Sequence, residues 1–147
     1  MVTAVAAFAL VAMSSVWSVA QTTTPPPPPQ LVAKLLDPLG HAAGEAGYGQ
    51  QTDKTGKITA SFLRVKIGPL PKTLVGQVLT VQVDSVNVGT AKVVAGTGTT
   101  DAHAELNLNS ADKVKVPPVK PGSKISASYG GNPPIAQGKF QQAAPPK

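Results

Sequence analysis

The stretch TDAHAELNLNS, residues 100–110, decides the fold class. Its polar residues Asp101, His103, Glu105, Asn107 and Asn109 alternate with Ala102, Ala104, Leu106 and Leu108. Successive side chains of a β-strand point to opposite faces, so a period of two puts the apolar set on one face and the polar set on the other. The same stretch raises the functional question, because it is the densest run of polar chemistry in the chain. Either Asp101, His103 and Glu105 are lined up for catalysis or metal binding, or they are the wet side of an ordinary strand.

The period of two recurs along the chain. In KITASFLRVKI, residues 57–67, Ile58, Ala60 and Phe62 share one phase, and Leu63, Val65 and Ile67 share the other. A regular strand would turn one triplet to water, so a β-bulge near Phe62–Leu63, or a crossing between sheets, is expected. The proline-marked PLPK, residues 69–72, ends that strand, because proline cannot donate to a ladder. Residues 75–94, VGQVLTVQVDSVNVGTAKVV, predict a hairpin with Leu79, Val81 and Val83 inward and a tight turn at Asp84–Ser85. Val86 and Val88 lead the return strand. The pattern then shifts at Gly89 toward Ala91 and Val93, which predicts a second bulge.

Downstream, Pro121–Gly122 suits the centre of a type II turn. SKISASY (residues 123–129) puts Ile125, Ala127 and Tyr129 on one side, and IAQGKF (135–140) closes the domain. Upstream, LVAKLL and GEAGYGQ are weaker strands separated by DPLGHAA. No amphipathic helix is evident after residue 20. The pattern predicts an all-β fold: an antiparallel β-sandwich, Ig-like or a small barrel, of about seven to eight short strands.

These motifs bring a resemblance with them. VQVDSVNVGTAKVV, then AELNLNS, VPPVKPGSKI and a terminal GKF, with GEAGY and FLRVKIGPLP upstream, resemble a recurrent small all-β domain of exported bacterial proteins. The likeness covers most of residues 31–140 and departs at Ser85, where a glycine is usual. It implies a fold and an exported setting. That group has no settled activity, so no functional residue is carried over. A looser likeness to chordin-type repeats lies in the strand, G-x-A-x-Y, strand, LP layout, without the histidine-rich segment expected there.

The ends have a different character. Residues 1–20 hold no charged side chain, and an apolar run from Val2 to Ala12 precedes the small residues Ser18 and Ala20. This is the pattern of a secretory signal peptide cleaved after Ala20, although no Lys or Arg precedes the apolar run. That run is too short for a membrane span, so no stable transmembrane segment is expected after cleavage. Residues 21–30 include five consecutive prolines, Pro25–Pro29, and read as a stiff Thr/Pro-rich spacer. The expected organisation is signal 1–20, spacer 21–30, β domain 31–141 and disordered tail 142–147. Localisation is expected to be secreted or periplasmic.

The chain has no cysteine, which removes disulfides, thiol nucleophiles and a lipidated cysteine. A domain of about 110 residues buries enough apolar surface to fold without such staples. The formal net charge is +6. The lysines are scattered singly, and Arg64 is the only arginine. Nucleic-acid surfaces cluster arginine with stacking aromatics, so a nucleic-acid partner is not expected. A soluble basic surface accounts better for this charge than a dedicated polyanion site does.

Same-face neighbours on a strand lie about 6.5–7 Å apart, so Asp101 and Glu105 stand about 13 Å apart. Glycosidase carboxylate pairs need about 5–9.5 Å. Asp101 or Glu105 with His103 could converge on one ion, helped by His41 from a loop, but a metal site needs a third or fourth ligand. GTGTTD, residues 96–101, lacks the last glycine of a phosphate loop and leads into a strand, and no nucleophile elbow is present. Tyr48, Tyr129 and Phe140 suit a core better than a sugar platform.

The resulting expectation is an exported, non-enzymatic module with no cofactor, structural or binding in role, with a basic surface. Its partner is an anionic cell-wall polymer or another envelope protein, and its oligomeric state stays open. The alternative is a small periplasmic metal-binding protein using His103 with Asp101 or Glu105.

Overall fold

The structure is a computed structural model that describes residues 28–97, 101–145 and 147. The expected signal peptide (residues 1–20) and residues 21–27 of the expected spacer lie outside the described residues, as do residues 98–100 before Asp101 and residue 146 of the expected tail. Nine strands follow in chain order: β1 (Leu31–Leu36), β2 (Ala42–Thr52), β3 (Ile58–Leu70), β4 (Val78–Val83), β5 (Val86–Ala95), β6 (Ala102–Asn109), β7 (Lys124–Ser128), β8 (Ala136–Lys139) and β9 (Gln141–Gln142). Two single 3-10 turns, Lys72–Leu74 and Ser110–Asp112, are the helical segments among the described residues.

Every strand pairing is antiparallel. The order β2-β3-β6-β5-β4-β7-β8-β1 returns to its start because β1 also pairs with β2. The sheet therefore closes into an eight-stranded barrel, with β9 continuing β8 along β1. Of the forms expected from sequence, the antiparallel all-β fold stands. The sandwich is corrected to a single closed barrel. Dyad alternation says only that each strand has one greasy face, and a curved sheet wrapped around its own core meets that demand as well as two stacked sheets do.

Registered pairs line up the inward residues in rings. Leu31, Tyr48, Leu63 and Leu108 form one row across β1, β2, β3 and β6, and Ala33, Ala46, Val65 and Leu106 form the next. Leu35, Gly44, Ile67, Ala104 and Val93 form a third row that reaches β5. Leu79, Val81, Val83, Ile125 and Ala127 fill the opposite wall, and Phe140 is buried in the same cluster. Eight strands enclose a space that side chains can fill, and here they fill it. Leu35, Leu63, Ile67, Leu79 and Val81 have no exposed surface.

Among the described residues the register shifts at four places, between Leu35 and Leu36, Gln51 and Thr52, Ile67 and Leu70, and Val81 and Gln82, and two of these bear on the expected bulges. At Val88–Gly89 the β4–β5 register skips a residue, as the sequence pattern predicts. The Asn87 side chain accepts from the Gly89 N–H there (3.0 Å). At Phe62–Leu63, by contrast, β3 pairs without interruption with β2 and β6. The β2–β3 shift lies instead at the hairpin end, between Gln51 and Thr52. One triplet does turn outward: Ile58 is 51% exposed, and the Phe62 ring lies on the outer wall over Gly49. A glycine neighbour lets the ring cover bare backbone, which removes the need to bend the strand. The strand also runs through Pro69 to Leu70 instead of ending at Pro69.

The turns follow their residues. Val83 pairs with Val86 across Asp84–Ser85, and both turn residues have positive φ (49° and 68°), the mark of a two-residue I′ hairpin. The Ser123 N–H donates to the Lys120 C=O (3.0 Å) with Gly122 at φ 90°, the expected type II turn. The last pairs extend to Gln142, one residue past the boundary drawn from sequence, and the Ala143 N–H donates to the Gln30 C=O (2.9 Å).

The closing seam joins β8 to β1. They pair at Leu36–Gln137, and β9 resumes at Val32–Gln141. Between these pairs the Lys34 carbonyl comes so close to Gly138 that any Cβ at that position would collide with it. A backbone obstacle cannot rotate away as a side chain can, so overpacking here moves a strand. Gly138→Ala is expected to lower stability by about 1–3 kcal/mol, measured by urea unfolding. A variant as stable as the parent would show that the β1–β8 contact is not tight.

Candidate functional site

The polar face of β6 is the first place to look. Ala102, Ala104, Leu106 and Leu108 are buried, while Glu105, Asn107 and Asn109 are exposed and His103 is half-buried. The alternation is therefore a wall strand with a wet outer side. Asp101 precedes the strand. It lines a shallow depression of about 400 Å³ with His103, Gly68 and Pro69. Glu105 turns away toward Lys66, whose Nζ stands 3.8 Å from Glu105 Oε1. His41 is committed elsewhere: its Nδ1 lies 3.1 Å from Asp37 Oδ2, and its N–H donates to Asp37 Oδ1 (2.8 Å). Among the described residues, no three His, Asp or Glu side chains come together as a metal-binding group. The structure thus places Asp101 and His103 at one depression, while Glu105 pairs with Lys66 and His41 with Asp37.

The three aromatic residues considered as a sugar platform are used otherwise. Tyr48 and Phe140 are buried, and Tyr129 is half-buried against the core. The Tyr48 hydroxyl accepts from Gln50 Nε2 (2.9 Å). The rings that do reach the outer wall are Phe62 and Pro29, which sequence reasoning placed in the core and in the spacer.

These two rings mark one end of a groove of about 640 Å³ on the outside of β1, β2, β3 and β6. The groove exists because β2 has no side chains there. Gly47 and Gly49 both face outward; Pro29 rests against the first and Phe62 against the second. The next row along the strands is Val32, Gly47, Arg64 and Asn107, paired in register across four strands. The row beyond it is Lys34, Glu45, Lys66 and Glu105, also in register. That second row alternates positive and negative, so each charge faces an opposite one across the strands, an arrangement worth a few tenths of a kcal/mol per pair. Arg64 has no such neighbour: its in-row partners are Gly47 and Asn107, and among the described residues it makes no ion pair. Arg64 was legible in the sequence as the lone arginine on the wet side of β3. The groove was not, because it depends on which strands become neighbours.

The carboxyl groups with shifted acidity lie in turns, away from this groove. Asp37 is held below the ordinary value of 3.8 mainly by the His41 N–H, and Asp53 mainly by the Thr55 hydroxyl (2.6 Å) and N–H (2.8 Å). Asp84 is held low first by the Lys124 N–H (2.8 Å) and then by the Ser123 side chain. A carboxyl that is more acidic folded than unfolded stabilises the fold fully above the unfolded value, and that share is lost as pH falls through the lower folded value. Stability should therefore decline as pH drops below 3.8. Asp84→Asn, which keeps an acceptor and tolerates positive φ, should flatten part of this decline. Identical acid unfolding curves for the variant and the parent would contradict the assignment for Asp84.

No protein-family model, curated protein or solved structure matches the chain.

Proposed function

We propose that the chain is an exported, non-enzymatic module of the cell envelope or extracellular space that works by binding on the outer wall of its barrel. The observation that carries this reading is the division of the molecule into a filled interior and a grooved, charged exterior. Side chains occupy the space that larger barrels use for ligands, so binding falls to the outside. The outer groove combines ring side chains with cations and carries three positive groups against two carboxylates.

Three features of the sequence support the setting: the signal-like residues 1–20, the proline-rich spacer that would hold the barrel off its attachment, and the likeness to small all-β domains of exported bacterial proteins. The formal charge of +6 favours an anionic partner, of which a cell-wall polymer is the first choice and an acidic envelope protein the second. The non-enzymatic reading is supported by the arrangement of the polar groups. The acid and imidazole groups of β6 are spread along a wall strand, and the strongest carboxylate hydrogen bonds tie turns together.

Retention of the purified protein on insoluble anionic polymers tests the proposal. Binding is expected at low ionic strength and should weaken steadily as salt is added, because exposed charges are screened within about 10 Å at 0.1 M salt. No retention on any anionic polymer, or retention that salt leaves unchanged, would contradict it.

A further inference from the structure

We propose that the outer groove is a binding site for a carboxylate-bearing polysaccharide, with Arg64 taking a carboxylate of the chain and the Phe62 and Pro29 rings taking the face of a sugar. This deepens the reading above and rests on it.

The groove holds five ionic groups, and four of them stand in the ladder Lys34–Glu45–Lys66–Glu105, where each sits opposite a partner of the other sign. Arg64 is the cation left over. Its row offers a glycine on one side and an amide on the other, so the guanidinium faces the open groove with no carboxylate of the protein in its own row. A guanidinium is a planar fork of donors that matches the two oxygens of a carboxylate, and it is more weakly hydrated than an ammonium. A ligand carboxylate would complete the row as Glu45 and Glu105 complete the next one.

Phe62 lies one same-face step from Arg64 along β3, about 6.5–7 Å. Pro29 stands beside it, because Gly47 and Gly49 are consecutive outward positions of β2. The groove thus presents a ring surface along β3 from the forked cation, and Asn107 as an amide beside that cation on β6. An acidic sugar carries the complementary groups: an apolar face of C–H groups, hydroxyls and a carboxylate. The groove runs across four strands of the outer wall, which lets a segment of a long chain lie along it. The glycines are part of the site, since a side chain at Gly49 would collide with the Phe62 ring and one at Gly47 would press on Pro29.

The test uses the whole protein and three polymers: polygalacturonate, which carries carboxylates, poly(glycerol phosphate), which carries phosphates, and neutral dextran. The protein should bind polygalacturonate most tightly and dextran not at all. Arg64→Gln should weaken polygalacturonate binding by about tenfold or more. Arg64→Lys, which keeps the charge and loses the fork, should fall between. Phe62→Ala should weaken it several-fold, while Lys92→Gln, on β5 outside the groove, should leave it near the parental value. Circular dichroism on each variant confirms that the barrel is intact. Binding of anionic polymers that Arg64→Gln leaves unchanged, or a preference for poly(glycerol phosphate), overturns the assignment of this groove and leaves the wider binding reading standing. No binding to any anionic polymer overturns both.

Discussion

The structure depends on β1 having a partner on each side. Along one edge it pairs with β2 over its full length, and along the other with β8 and then β9. That second seam turns an antiparallel sheet into a barrel. A strand with one free edge would present a row of unsatisfied N–H and C=O groups, a template for association that proteins avoid by covering or closing it. The seam is narrow, and it is narrow at a glycine: Gly138 lets the Lys34 carbonyl approach to where no Cβ could stand. Gly44 does the same for β2 against the Lys66 carbonyl. In a chain with no cysteine, this close fit and the filled interior replace covalent staples.

Much of the fold was legible from alternation alone. The β6 segment shows why: its small and aliphatic residues at every second position admit a single way of facing the core, and Leu106 and Leu108 remain 9% exposed. The Asp84–Ser85 and Pro121–Gly122 turns were legible for a different reason. Their backbone conformations have few residue solutions, and the residues present are among them. The β5 bulge could be read from the phase change at Gly89. The same reasoning failed at Phe62. The sequence shows a phase change there too, but the remedy came from a neighbouring strand, since Gly49 leaves room for a ring on the outer wall. A one-dimensional pattern cannot say which glycine will lie beside which phenylalanine. For the same reason it could not choose between two stacked sheets and one closed one.

The candidate site illustrates this limit more strongly. Asp101, His103 and Glu105 attract attention because they are close in sequence, yet Glu105 faces Lys66 while Asp101 and His103 line a depression with Gly68. The groove residues are far apart in sequence and come together through register. Pro29, Val32, Gly47, Phe62, Arg64 and Asn107 span four strands and the residues just before β1. What the sequence did contain was the oddity of one arginine among scattered lysines. The structure gives that oddity a setting, an unpaired fork beside two rings on a floor of glycine. Function on the outer wall also fits the interior. A barrel filled to stability has no lumen to offer, so loss of a binding contact on the outside need not disturb the core, and the two can vary separately.

Closure of the sheet through β1 is the claim on which the rest stands, and amide hydrogen exchange followed by NMR tests it most directly. In a closed barrel the β1 amides of residues 31–36 and the β8 amides that face them are held within the cooperative core, so they should exchange as slowly as the amides in the middle of β3. Rapid exchange confined to β1 or β8, with β3 and β6 protected, would mean an open sheet with a free edge and would contradict this account.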